Sequence, residues 1–208
     1  MLPSLTIIDD FLSDPWAARK AALTLDYDEA SQRGNFPGRN STAPLPTYEL
    51  DAAVSRHLGI EVQAAAGTSH GHCRLTRKAD AGRSGVHIDP AFYSGILYLS
   101  RPQDCAGPKA GGTDFFRHKR TGLDRVPQDA ASISAAGYGD INALVEDVVN
   151  RDTTYPAKWE RVMRVPCRFN RLLLFSPWLF HTAAPGFGRA DEDARLVMLL
   201  FFQRKRGG

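Results

Sequence analysis

Apolar residues fall along the chain in short runs separated by polar and turn-forming residues, and the period of those runs changes once. The first run, "LTIIDDFL", predicts a β-strand. Ser13 is placed to cap a following helix, with Pro15 tolerated in its first turn, where an N–H has no partner to lose. Ala18, Ala21, Ala22 and Leu25 then recur at i, i+3, i+4 and i+7, which is one face of a helix. "SQRGNFPGRNSTAPLP" is dense in Gly, Pro, Asn and Ser and predicts a loop. A second helix is predicted over Thr47–Leu58, closed by Gly59.

From about residue 60 the pattern becomes one of short strands: "EVQAAAG", "SHGHCRLTRKA", "SGVHID", "YSGILYLS", "GTDFFRH", "RFNRLLLF" and "RLVMLLFF". Many short strands without helices between them predict a sandwich or barrel. The interruption is residues 119–160. There Ile141, Leu144, Val145 and Val148 share one helical face, so a helix is predicted from Asp140 to about Asn150, inside an otherwise irregular segment. An insertion of that length in a β fold is either functional or disordered.

Composition narrows the class of protein. A chain of 208 residues with 43% hydrophobic and 24% charged residues is ordinary for one soluble globular domain. The net charge of +3 is small and the basic residues are scattered, so nucleic acid is not an expected partner. The basic end "QRKRGG" reads as a solvated tail. Cys73, Cys105 and Cys167 are odd in number and none stands at CxxC spacing, so no disulfide framework is expected and a reducing cytoplasm fits. The opening residues do not resemble a signal peptide, and the longest apolar run, Leu196–Phe202, is too short to span a membrane.

"GVHIDPAFYSGILYLS" carries the first chemistry. Alone, His87 reads as a satisfied structural histidine and Asp89 as a turn former ahead of Pro90. On a strand, however, two residues at this spacing project from one face, and the proline keeps Asp89 extended. An imidazole and a carboxylate side by side are two of the three ligands of a 2-His-1-carboxylate iron site. His181, after the strand "RLLLF" and a Ser-Pro turn, is the candidate third. Arg195 heads the most apolar strand of the chain, and a guanidinium there needs a partner, such as a carboxylate ligand held bidentately.

HxD, a later His and a downstream Arg, all on strand-like segments, resemble the non-haem iron(II)/2-oxoglutarate dioxygenases, with the prolyl-hydroxylase-like branch nearest. The resemblance covers residues 68–203 and extends to the opening "TIIDDFLSDPWAARK". It implies a mainly β fold with flanking helices, a double-stranded β-helix or jelly roll. Residues 1–208 would be one domain: an N-terminal strand and supporting helices (1–60), the jelly-roll core (61–203), and the insertion (119–160) as a lid hinged at "SAAGYGD". It implies that His87, Asp89 and His181 hold Fe(II), that Arg195 binds the distal carboxylate of the co-substrate 2-oxoglutarate, and that Tyr93 or Tyr98 hydrogen-bonds it. "GGTDFF" is similar to the family's glycine-led fourth strand. Val197 stands where many relatives have Ser or Thr. The implied reaction consumes O2, decarboxylates 2-oxoglutarate to succinate, and hydroxylates an unactivated C–H bond of a peptide, an amino-acid side chain or a small molecule. The presence of Asp89 favours hydroxylation over halogenation.

Other readings compete. The same ligands suit a metal-dependent hydrolase, and the same fold a non-catalytic binding module. His70, His72 and Cys73 in "SHGHC" are the rival, zinc-like cluster, or cleft-lining residues. Arg74 and Arg77 read as surface residues or as substrate contacts, and Trp159, Trp178 and Phe180 as core.

Overall fold

The last long strand organises the molecule. In the computed structural model, which describes residues 2–28, 36–82, 85–106 and 111–205, β10 spans Arg195–Arg204 and is almost wholly buried. On one side it pairs antiparallel with β5 (Tyr93–Tyr98), and on the other with β4 (His72–Thr76) and β3 (Val62–Ala64). Beyond β5 lie β8 (Arg171–Phe175) and then β1 (Leu5–Ile8); beyond β4 lies β2 (Arg39–Pro44). A smaller sheet runs β7 (Trp159–Pro166), β6 (Gly112–His118), β9 (His181–Ala183).

Alternation along β10 shows why its sequence reads as unbroken apolar residues. Leu196, Met198, Leu200 and Phe202 pack with Tyr93, Leu97, Leu172 and Leu174 under the two N-terminal helices, α1 (Pro15–Leu23) and α2 (Tyr48–Leu58). Val197 and Leu199 point the other way, packing with Tyr98, Leu173 and Phe175 against Phe115 and Val165 of the small sheet. A sheet covered on both faces has no solvent face to mark with polar residues. The two facing antiparallel sheets form the expected double-stranded β-helix.

Several local expectations change. The cap of α1 is Asp14, whose carboxylate accepts from Ala17 N at 2.9 Å, not Ser13. Helix α2 has Thr47 at its N-cap and ends on Gly59, whose left-handed φ of 67° closes it. Part of the stretch expected as a loop is β2, an edge strand whose outer half is exposed, so Asn, Ser, Thr and Pro are tolerated there. Residues 31–35 of that stretch lie outside the described residues. "VHID" is not a strand but a loop making one isolated bridge, His87 to His181.

Within 119–160 the structure places α3 (Ala130–Ala135), then α4 (Ile141–Leu144), which continues as a π-helical turn over Val145–Asn150. Leu144, Val148 and Val149 are buried with Val86, Val126, Trp159 and Phe180, so this apolar face packs against the loop carrying His87 and the residue preceding His181. Thr153 joins the same loop: its carbonyl accepts from Val86 N at 3.1 Å, and its hydroxyl from Gly85 N at 3.1 Å. Gly85 is glycine of necessity, because any Cβ there would overlap the Thr153 carbonyl. Trp159 and Phe180 are core, as expected, and Trp178 packs beside them.

All three cysteines are free thiols. Cys73 is buried alone, whereas Cys105 and Cys167, 62 residues apart, bring their Sγ atoms to 2.7 Å.

Candidate metal centre and anion pocket

Backbone hydrogen bonds position the three expected ligands. His87 N donates to His181 O at 2.9 Å and His181 N donates to His87 O at 3.0 Å, so the two residues are stapled face to face. Asp89 N donates to Pro177 O at 3.1 Å. One ligand atom from each of His87, Asp89 and His181 can be chosen such that all lie within 4.8 Å of one another, the one such group among the described residues. His181 Nε2 is 3.2 Å from Asp89 Oδ2, and His87 Nε2 is 3.6 Å from Asp89 Oδ1.

The surrounding bonds fix which atoms face inward. His87 Nδ1 bonds the Gly85 carbonyl at 3.0 Å and His181 Nδ1 the Leu179 carbonyl at 2.8 Å. A carbonyl can only accept, so each Nδ1 carries a proton, which leaves each Nε2 as the atom a metal would take. Ser94 Oγ donates to Asp89 Oδ2 at 2.6 Å. Burial pushes His87 down to about 4, with the neighbouring His181 adding to it. Burial opposes the ionised form of Asp89, but the two histidines and their hydrogen bonds outweigh it and hold the carboxyl at about 2. For His181 burial again opposes charge, and the Asp89 carboxylate outweighs it, raising its pKa. Two imidazole Nε2 atoms and a carboxylate, converging from one side, fit a divalent transition metal such as Fe(II) with positions left open.

A cavity of about 190 Å³ adjoins the triad. At one end is Arg195, 2% exposed. Its Nη2 donates to Gly112 O at 3.1 Å, while its Nε is buried with no hydrogen-bond partner among the described residues. It forms no ion pair among the described residues. Its guanidinium lies over the Tyr98 ring, 5.8 Å from the centroid, and Tyr98 Oη shares a hydrogen bond of 2.7 Å with Thr113 Oγ1. Burial pushes Tyr98 up to about 12, so its hydroxyl keeps its proton. A buried cation with an orphaned donor is the complement of a carboxylate.

Tyr93 is not brought to this site. It faces the helices, and its hydroxyl donates to the Pro3 carbonyl. Of the two readings open for Arg74, surface residue or substrate contact, its place in the cavity lining excludes the first. Its neighbour across β10 is Val197, an inward-facing residue. Arg77 does lie near the surface, paired with Asp191 at 2.7 Å. The rival cluster is dispersed: His70 bonds Phe201 O, Thr47 and Asp51, His72 bonds Ser41 O, and Cys73 is buried apart. The sequence reading missed Phe36, whose ring lies 4.4 Å from that of His87, because it sits in a stretch marked only as loop.

The fold and the triad define a double-stranded β-helix with a 2-His-1-carboxylate group at its mouth. The chain belongs to a family of unknown function (DUF6445), whose model matches residues 3–196. No curated protein matches it in sequence. Among solved structures it is similar to HygX from Streptomyces hygroscopicus, crystallised with nickel, 2-oxoglutarate and hygromycin B. The TM-score is 0.53 at 14% identity, over 96% of this chain and 82% of that one. SnoK, a non-heme alpha ketoglutarate dependent carbocyclase from nogalamycin biosynthesis, gives a TM-score of 0.53 at 13% identity, over 96% and 79% of the two chains. SnoN, an epimerase of the same dependence and biosynthesis, gives 0.50 at 13%, over 96% and 78%. These likenesses show the fold.

Proposed function

We propose that the protein is an Fe(II)- and 2-oxoglutarate-dependent oxygenase acting on a C–H bond of a small molecule or an amino-acid side chain. One observation carries the reading: a converging His87–Asp89–His181 group and the buried Arg195, which has no ion-pair partner among the described residues, open onto the same cavity. A hydrolase using the same ligands would have no need for a desolvated guanidinium without a partner. Both HygX and SnoK, which share the fold, are described with 2-oxoglutarate or dependence on it. The prolyl-hydroxylase-like branch is the nearest by motif.

His87, Asp89 and His181 would hold the iron. Arg195 would fork the distal carboxylate of 2-oxoglutarate, with the Tyr98–Thr113 pair buttressing it from below. Bound iron and 2-oxoglutarate supply the oxidising chemistry, in which O2 is reduced as the oxo acid loses CO2 to become succinate. The protein's part is to orient and to keep water out. The backbone carbonyls at Gly85 and Leu179 lock the imidazole tautomers, and Phe36, Phe175 and Leu199 make the walls apolar. Retention of Asp89 favours hydroxylation as the outcome. Anaerobic addition of Fe(II) and 2-oxoglutarate should produce a visible charge-transfer band that His87→Ala and Asp89→Ala abolish. Persistence of the band in both variants would reject the ligand assignment. On exposure to air, the unsubstituted protein should form succinate.

A further inference from the structure

The cavity contains a second cation besides Arg195. Arg74 lies on β4, and its guanidinium is held in place from two sides. Nε donates to Asn40 Oδ1, its cross-strand partner on β2, at 2.7 Å. The guanidinium carbon lies 5.4 Å from the centroid of Phe36, whose other neighbour is the His87 ring. These contacts leave both Nη groups uncommitted: Arg74 makes no ion pair and no further hydrogen bond among the described residues. Burial, with Arg195 second, lowers its pKa to about 10, which leaves it fully charged at neutral pH.

Charge counting then asks for one more anion. With Fe(II) held by the Asp89 carboxylate, the two carboxylates of 2-oxoglutarate are answered by the metal and by Arg195. The Arg74 charge is left over in a partly desolvated cavity, where an unanswered charge is costly. Two free Nη donors in one plane match a carboxylate's two oxygens. The cavity, about 190 Å³, is smaller than the ~300–1,000 Å³ of drug-sized pockets, so the occupant beside 2-oxoglutarate is small.

We infer that Arg74 is the specificity-determining residue of this site, and that the molecule oxidised there is a small organic acid whose carboxylate Arg74 binds. The inference rests on the function proposed above and names its substrate class.

Two measurements test it, with Arg74→Gln removing the charge while keeping a donor near Asn40, and Arg74→Lys keeping the charge without the fork. The first is 2-oxoglutarate affinity of the anaerobic Fe(II) protein, by calorimetry. Arg74→Gln should stay within about threefold of the unsubstituted protein. A loss as large as that caused by replacing Arg195 would assign Arg74 to the co-substrate and overturn the inference. The second uses the Fe(II)–2-oxoglutarate protein with a panel of free amino acids, hydroxy acids and simple monocarboxylates, each beside its methyl ester. Anaerobic thermal shift and aerobic succinate release are both read. Acids should raise the melting temperature and stimulate succinate release where their esters do not. Arg74→Gln should weaken the half-saturating concentration by roughly 30-fold or more, and Arg74→Lys by less. Stimulation by esters as strong as by acids, or by no acid in the panel, overturns the inference. Failure of the underlying function would show separately, as absence of the charge-transfer band in the unsubstituted protein.

Discussion

Replacing Arg195 with methionine should make the ligand-free protein more stable while destroying its affinity for 2-oxoglutarate. Methionine keeps the length of the stem that threads between β10 and Gly111 but carries no charge. Against the change stand the hydrogen bond to Gly112 O, worth ~1.5–3 kcal/mol for a charged donor, and the contact with the Tyr98 ring, worth about 1 kcal/mol. In its favour stands the desolvation of a guanidinium that is 2% exposed, lacks a counter-ion among the described residues and has an orphaned Nε; such a penalty is several kcal/mol. The balance is a gain of about 1–3 kcal/mol, or a melting temperature higher by roughly 2–12 °C for a chain of this size. For the co-substrate the sign reverses. Truncating one partner of a buried charge pair costs ~2–5 kcal/mol, a roughly 30- to 4,000-fold loss of affinity. Scanning calorimetry with Mn(II), with and without 2-oxoglutarate, reads both effects. At a hundred times its Kd the ligand should stabilise the unsubstituted protein by about 2.7 kcal/mol and the variant scarcely at all. A variant that melts lower without ligand, or shows the same ligand-induced shift, would refute the picture of Arg195 as an unpaired anion receptor.

Other expectations follow from the same contacts. Leu144→Ala empties a fully buried position under the metal-bearing loop and should cost ~2–5 kcal/mol by denaturant unfolding. Thr153→Ala strands the Gly85 N–H and should cost about 1 kcal/mol; because Gly85 also orients His87, metal affinity measured by competition with a chelator should fall with it. Oxidised glutathione should convert the Cys105 and Cys167 thiols to a disulfide, releasing two equivalents of reduced glutathione and leaving one alkylatable cysteine. Arg171, chiefly through its hydrogen bonds, holds Asp9 below the usual carboxylate range. A depressed pKa stabilises the fold above the unfolded value of ~3.9 and ceases to do so as pH falls through the folded one. Asp9→Asn should therefore lower the melting temperature at pH 7, and the difference should begin to narrow near about pH 4 and close only at pH values below the depressed folded pKa.

What the sequence made legible is what period and residue type can carry. The apolar runs of β5, β8 and β10 announce a sheet, and His87, Asp89, His181 and Arg195 are chemically out of place beside them. The expected ligands do come together, although through a bridged loop instead of a strand. Register is what the linear pattern conceals. Tyr93 and Tyr98 are five residues apart on one strand, an odd number, so they cannot share a face, yet only the fold shows that Tyr98 is the inward one. Arg74 looks like any basic residue on a short, half-polar strand until Val197 is seen opposite it. β2 hides because an edge strand with one wet side has little apolar content to show. The Cys105–Cys167 contact and the Phe36–His87 contact join positions with no local relation, and nothing in a periodicity reports them.

The reciprocal bonds between His87 and His181 have a topological consequence. They join points separated by most of the jelly roll, so an ion gripping both imidazoles closes a loop of about a hundred residues, as a disulfide at the same place would. In the chain-entropy picture, closing such a loop removes ~4.7 kcal/mol worth of freedom from an unfolded chain that keeps the link. A metal linking the two ends weakly in the unfolded chain would give little of this. One released on unfolding stabilises only through its binding, by an amount that grows with the logarithm of its concentration. Melting temperature against metal concentration distinguishes the two cases: a continued rise well above the dissociation constant marks a clasp that opens with the fold, and a plateau marks a permanent tether.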